Sequence, residues 1–343
     1  MSETVRITVA GAGSWGTALA RLLAENGHRV ILWCLEEEVA AGVNESRENT
    51  RFLPGFTLPD NLSATTDLSA AAAAARDLLL WVVPTQFSRK VFTQAAPHLN
   101  AEVPIVSASK GVELQTLGFV TGIFEDVLGK DPARRRCAAL SGPSFAREVA
   151  QGAPTAVAVG AWNESVAETV QRLFTSPSFR VYTNPDPIGT QVGGALKNVV
   201  AIASGAVEGL GYGHNTEAVL ITRGLLEITR LGVALGAKSE TFSGLSGMGD
   251  LVLTCTGGLS RNRQVGKQLG EGRKLDDILA DMQMVAEGVK TTESAWQLAH
   301  KLGVEMPIVE QVYRALYEGV SPKDALAELM SRPPRSEEAL LDP

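Results

Sequence analysis

Four short stretches carry the residues best suited to chemistry. They are GGALKN with Lys197 and Asn198, SASKG with Lys110, GMGD with Asp250, and SRNR with Ser260, Arg261 and Asn262. GGALKN reads as lying early on a helix. Helical side chains lean toward the N-terminus, so Lys197 would lie over the turn holding Gly193 and Gly194, which have no side chain to compete for that space. An ammonium so placed suits a bound group; the alternative is an ordinary exposed helix lysine. Three strand ends carry small polar residues, PTQ, SASKG and SGPS, and Lys110 is their only charge. It suits contact with an anion or carbonyl, or it is a solvated loop lysine. Asp250 can orient a lysine or hydroxyl, or merely cap a helix. Arg261 and Asn262 at a helix start suit a phosphate, since guanidinium forks and free amides both supply donors; a surface basic turn is the alternative. His28, His98, His214 and His300 lack metal-ligand spacing, so no metal is expected. Nucleophile elbow and P-loop are absent. Cys255, in an apolar run, reads as a buried small hydrophobe. A lysine remains the best proton donor.

A second constellation sits at the start of the chain. An apolar β-branched run over residues 5–10 leads into Gly11-Ala12-Gly13-Ser14-Trp15-Gly16, then a helical pattern, an apolar run over 30–33, and the acids Glu36, Glu37 and Glu38. Gly11 would allow the tight turn, Gly13 the close approach of a pyrophosphate, and Gly16 the packing of helix on strand. Amides at the helix start would bind the phosphates. Glu36, about twenty residues on, stands where an acid hydrogen-bonds the adenosine ribose diol. Together these predict dinucleotide binding.

The elements that must position these groups alternate. Short runs at 63–66, 78–83, 105–107, 137–140, 155–159 and 179–182 read as strands, with helices at 70–75, from 85 to near 99, and at 164–175. Repeated βα units imply a largely parallel, doubly wound sheet covered on both faces, with ligands beyond the carboxyl ends of the strands. From Asp186 helical periodicity takes over. One helix runs through GGALKN to Gly209, where Ala201 and Gly205 admit another helix or a cofactor. Asn215 reads as the N-cap of the next helix. The expected fold class is α/β, with residues 1–185 a dinucleotide-binding domain, 186–330 an all-helical catalytic domain and 331–343 a flexible tail.

Composition narrows the classes. The chain has 343 residues, 45% hydrophobic and 20% charged, with a net charge of -7, which argues against a general nucleic-acid binder. Cys34, Cys137 and Cys255 form no disulfide framework and suit a reducing cytosol. With no signal-peptide pattern and no apolar run of membrane-spanning length, a cytoplasmic protein is expected.

GAGSWGTALA, VVPTQ, SASKGVE, SGPSFAREV, GGALKNV, EGLGYGHNTEA, FSGLSGMGDLVLTCTG, SRNR and EGVKT occur in this order. Together they resemble the bacterial NAD(P)-dependent glycerol-3-phosphate dehydrogenases, from Gly11 to about Pro307. The resemblance implies an N-terminal Rossmann domain, a helical C-terminal domain and reversible reduction of dihydroxyacetone phosphate to sn-glycerol 3-phosphate, which feeds phospholipid synthesis. It makes Lys197 the general acid/base, supported by Asp250 and Asn198, and sets Lys110 beside cofactor and substrate. Substrate contacts fall on Gly142, Ser144, Ser260, Arg261 and Asn262, along with Lys110, Lys197 and Asp250. Cofactor contacts fall on Ser14, Trp15, Ala146, Arg261, Val285 and Glu287.

One departure is visible. Where the family often has Arg or His after the second strand, this chain has Leu35 and then Glu36, which would repel a 2′-phosphate and favours NAD over NADP. A homodimer is compatible with the resemblance. Burial and the Lys110 charge should lower the Lys197 pKa, against the pull of Asp250. Two alternatives stand beside this reading. A lysine-dependent β-hydroxyacid dehydrogenase would prefer 3-hydroxy acids, and a non-catalytic NAD(H)-sensing protein would bind cofactor without ketone-dependent NADH oxidation.

Overall fold

The computed structural model describes residues 5–282, 286–334 and 336. The first half builds eight strands: β1 (Arg6–Ala10), β2 (Arg29–Trp33), β3 (Leu62–Thr65), β4 (Leu78–Trp81), β5 (Ile105–Ser107), β6 (Cys137–Ser141), β7 (Thr155–Ala161) and β8 (Phe179–Asn184). They form one sheet in the order β3-β2-β1-β4-β5-β6-β7-β8. The ladders β3-β2, β2-β1, β1-β4, β4-β5, β5-β6 and β7-β8 are parallel. The order reverses between β1 and β4, the switch point at which doubly wound sheets open a crevice for ligands.

The helices of this half are α1 (Ser14–Glu25), α2 (Glu37–Ala41), α3 (Leu68–Ala74), α4 (Thr85–Ala95), α5 (Val120–Leu128), α6 (Lys130–Arg136), α7 (Ala146–Ala150) and α8 (Glu164–Phe174). Two of them, α5 and α6, lie in a stretch for which the sequence pattern supplies no expectation. Alternate residues of β4 serve opposite cores: Leu78 and Leu80 join one cluster, Leu79 and Trp81 the other. With both faces covered, the strand reads as an unbroken apolar run. Trp81 meets Phe92 and Phe124 edge-on, at 5.1 and 6.0 Å between ring centres.

The second half is helical: α9 (Pro187–Gly209), α10 (His214–Ala234), α11 (Asp250–Thr256), α12 (Arg261–Gly270), α13 (Leu275–Ala280), α14 (Glu287–Leu302), α15 (Pro307–Tyr317) and α16 (Pro322–Met330). Two compact units emerge. One comprises Met1–Ser109, Val120–Leu140 and Ser144–Pro187; the other comprises Ile188–Pro343 together with Lys110–Phe119 and Ser141–Pro143. The excursion carrying Lys110 is therefore grouped with the helices. Ser294 on α14 anchors it by donating to the Val112 carbonyl at 3.1 Å.

Helix α9 is buried along most of its length, so it lacks a polar face and serves as the core of its unit. Its stripe of small residues meets another helix. A Cβ at Gly205 or Gly209 would run into the carbonyls of Arg263 and Lys267 on α12. Reciprocally, one at Gly266 or Gly270 would run into those of Ile202 and Ala206. The question left open for Ala201 and Gly205 is thus settled at Gly205 in favour of helix packing. Asn215 is not a cap: α10 begins at His214 after Gly213. Lys197, expected early on its helix, is the eleventh of the 23 residues of α9. The helix starts at Pro187 because proline fits a first helical turn, where its missing N–H leaves no bond unmade. The expected tail, 331–343, lies largely outside the described residues.

Backbone contact of this kind is intolerant of a single methyl. Gly205→Ala should lower the thermal unfolding midpoint, at a cost of roughly 1–3 kcal/mol. Gly122→Ala on α5, where a Cβ meets open space, should leave it unchanged or slightly raised. Equal midpoints for the two variants would contradict the packing.

Candidate active site

Within the helical unit, side chains from four separate stretches converge on one carboxylate. Asp250 opens α11 after Gly249 and is fully buried. Its Oδ1 accepts from the Lys197 ammonium, and its Oδ2 accepts from Lys110 at 2.7 Å. Lys110 also donates to the Gly142 carbonyl at 3.2 Å. Ser141 Oγ lies 3.4 Å from Oδ2, and Thr254 Oγ1 lies 3.5 Å from Oδ1. Lys110 is thus no solvated loop lysine and Asp250 no mere cap.

The charges are unequal: two ammonium groups share one fully buried carboxylate. Burial pushes the Lys197 ammonium down from its ordinary value to about 7; Asp250 pulls against this and the Lys110 charge adds to it. Burial alone would raise the Asp250 carboxyl, but the two lysines outweigh it and hold the group below the usual carboxylate range. Lys197 therefore sits near the point where it can either give or take a proton at neutral pH.

Gly193 and Gly194, one turn before Lys197, do not leave open space for a bound molecule as the sequence reading supposed. A Cβ at Gly193 would strike the Ser246 carbonyl, and one at Gly194 the Ser141 hydroxyl, with Lys110 Cδ 3.7 Å away. The glycines admit the segments that bring Asp250, Ser141 and Lys110 to the lysine.

A second group lies at the start of α12. Ser260 is its N-cap and accepts from the Arg263 amide at 3.2 Å. Arg261 is half-buried; burial lowers its pKa and the Glu287 charge opposes this, which places a cation and an acid near one another. The Asn262 Oδ1 accepts from the Gly288 amide at 3.0 Å, so that atom serves the head of α14. Asn198 is buried with its carbonyl against Gly288. Among the described contacts its side chain reaches neither Lys197 nor Asp250. Val285 lies outside the described residues.

The glycine turn belongs to the other unit, and it fits a dinucleotide pyrophosphate. Gly11 takes φ +112 with its Cα pressed on β4, where a Cβ would lie 2.8 Å from the Val82 carbonyl group. Gly16 would drive a Cβ into the Gly11 carbonyl, while Gly13 faces nothing within 4 Å. Gly13 caps α1 without a side-chain hydrogen bond. The Trp15 Nε1 is buried with no partner among the described residues. Ala146, at the start of α7, and Trp15 both pack against the cluster of Ala18, Leu53 and Ala150. Ser144 lies two residues before Ala146, and Glu36 follows the carboxyl end of β2 as the N-cap of α2. Residue-type reasoning passed over Ser141 and Thr254. Thr254 had a signal, since it stands four residues after Asp250 on one helix face.

Comparison with known proteins places the whole chain in one family. The family models for the NAD-dependent glycerol-3-phosphate dehydrogenase N-terminus and C-terminus match residues 6–167 and 186–327. A glycerol-3-phosphate dehydrogenase (NAD(P)+) of Geobacter sp. strain M21 is 57% identical over 327 residues, 95% of this chain and 97% of that one. One from Koribacter versatilis is 53% identical over 334 residues, 97% of this chain and 98% of that one. The crystal structure of glycerol-3-phosphate dehydrogenase from Coxiella burnetii superposes with a TM-score of 0.91 at 38% identity, covering 96% of this chain and 99% of that one.

Removing the shared carboxylate should be costly. Asp250→Asn leaves the buried Lys197 and the partly buried Lys110 without their counter-charge, and denaturant unfolding should show a loss of roughly 3–5 kcal/mol. Nitrogen-15 lysine spectra should show the Lys197 titration moving down from about 7 in that variant. A titration that stays put would contradict the assigned pairing.

Proposed function

The chain belongs to the NAD-dependent glycerol-3-phosphate dehydrogenase family, and we propose that Lys197 moves the proton of its reaction while Asp250 and Lys110 set the lysine's charge. The protein is an NAD(P)-dependent oxidoreductase of glycerol 3-phosphate. Oxidation at the secondary carbon of that substrate gives dihydroxyacetone phosphate. When bound, the nicotinamide supplies or accepts the hydride. The chain does the rest.

In the reductive direction negative charge grows on the ketone oxygen. The Lys197 ammonium stabilises that charge and delivers the proton as it forms. In the oxidative direction the neutral amine takes the proton from the alcohol. Arg261, with the α12 start and Ser260, is suited to the phosphate, and Lys110 to a substrate oxygen. Binding energy from the remote phosphate can then orient the carbonyl, so that substrates lacking it lose turnover as well as affinity. The Gly11–Gly16 turn, Trp15 and Ala146 would hold the dinucleotide, with Glu36 on the ribose diol. This assigns dinucleotide binding to residues 1–185 and substrate and proton chemistry to 186–330, joined by Lys110 from the 110–119 excursion that groups with the helices. The single supporting observation is the pair of lysines on one buried carboxylate, with Lys197 brought to about 7.

The product suits a supply role for glycerophospholipid synthesis. A cytoplasmic setting is supported by three buried free cysteines and by the lack, among the described residues, of a helix long and apolar enough to cross a membrane. A homodimer is compatible with the same reading.

NADH oxidation with dihydroxyacetone phosphate tests the assignment. Lys197→Met should keep cofactor binding and lose roughly 10²–10⁴-fold in kcat; undiminished turnover would sink it. Reduction needs the ammonium, so its kcat/KM should hold below pH about 7 and fall as pH rises through it. Oxidation needs the amine, and its kcat/KM should rise through the same pH.

Glu36 supports a preference for NADH, because its carboxylate would face the 2′-phosphate of NADPH. The ratio of kcat/KM for NADH over NADPH should exceed one in the wild type and fall on Glu36→Gln. A ratio unaffected by the substitution would remove Glu36 from the cofactor site.

A further inference from the structure

We propose that Ser141 is a positioning residue for the reaction: seated in a notch that Gly194 leaves in α9, its hydroxyl donates to Asp250 and holds that carboxylate with one oxygen toward each lysine. The proposal rests on the reading of Lys197 as the acid/base group.

Ser141 is the last residue of β6 and is 2% exposed. Its Oγ lies 3.4 Å from Asp250 Oδ2, the oxygen that also accepts from Lys110. Thr254 Oγ1 stands 3.5 Å from Oδ1, the oxygen that accepts from Lys197. Each carboxylate oxygen thus faces one ammonium and one hydroxyl. The side-chain torsion of an aspartate is soft, and two ammonium groups alone would let the carboxylate swing toward whichever binds more tightly. The Ser141 hydroxyl on Oδ2 opposes that swing, while the Thr254 hydroxyl gives its proton to the Asp250 main-chain carbonyl at 2.6 Å.

Gly194 supplies the second observation. Glycine weakens a helix interior, and α9 still carries one here. A Cβ at this position would collide with the Ser141 hydroxyl, whereas Ser141 Cβ would lie 3.3 Å off. The notch therefore accommodates the oxygen in particular. Without that donor, Oδ2 becomes more basic and its negative charge is less dispersed. Lys197 then holds its proton more firmly.

The test compares pH profiles of kcat/KM and kcat for dihydroxyacetone phosphate reduction with NADH, along with thermal midpoints, in the wild type and four variants. Ser141→Ala should move the reduction midpoint upward by roughly half to one pH unit and lower kcat roughly 3–10-fold, with KM nearly unchanged. Gly194→Ala displaces the hydroxyl and should give the same upward movement with a lower thermal midpoint. In Ser141→Ala/Gly194→Ala the thermal midpoint should recover while the pH midpoint stays displaced. A Ser141→Ala enzyme with wild-type pH midpoint and kcat overturns the proposal, and a loss of thermal stability alone would mark Ser141 as packing. Lys197→Met separates the two readings. If it turns over normally, the acid/base assignment fails; if it is inactive while Ser141→Ala behaves as wild type, only the positioning role fails.

Discussion

One carboxylate organises this site. Asp250 is buried without exposure and takes both lysine ammonium groups. Burial lowers the Lys197 pKa, Asp250 raises it, and the Lys110 charge beside it lowers it again. The balance of desolvation, attraction and repulsion brings Lys197 to about 7. A group balanced in this way can give a proton in one direction and take it in the other.

The rest of the helical unit can be understood as what holds four backbone segments close enough to share the aspartate. Glycines do this by removing side chains between main chains. Gly193 lets the Ser246 carbonyl approach α9, and Gly205 and Gly266 let α9 and α12 touch backbone to backbone. Such contacts fix register because a one-residue slip would put a side chain where only a hydrogen fits. The same α12 presents Ser260, Arg261 and Asn262 at its first turn. Helix packing and placement of the phosphate-suited residues follow from the same interface.

The dinucleotide turn follows a different logic. Gly11 and Gly16 are required by the protein's own crowding against β4 and the turn, whereas Gly13 faces open space. Three glycines in one motif thus divide into two that the fold requires and one whose side-chain position is open. Glu36, three residues past β2 at the cap of α2, is placed independently of the turn.

The strand order, the glycine turn and most of the helices could be read along the chain. These depend on local spacing: apolar runs bounded by glycine or proline, and helical periodicity after Asp186. Where the sequence reading went astray, a local rule met a nonlocal fact. Asn215 has good capping chemistry, yet α10 starts one residue before it. Gly193 and Gly194 gave the correct impression of space but the wrong occupant, since what fills it comes from residues more than 50 positions away in each case. Ser141 looked like punctuation at a strand end. Only the folded chain brings positions 110, 141, 197 and 250 to one carboxylate, because burial and counter-charge are properties of packing across long separations and leave no periodic mark on the sequence.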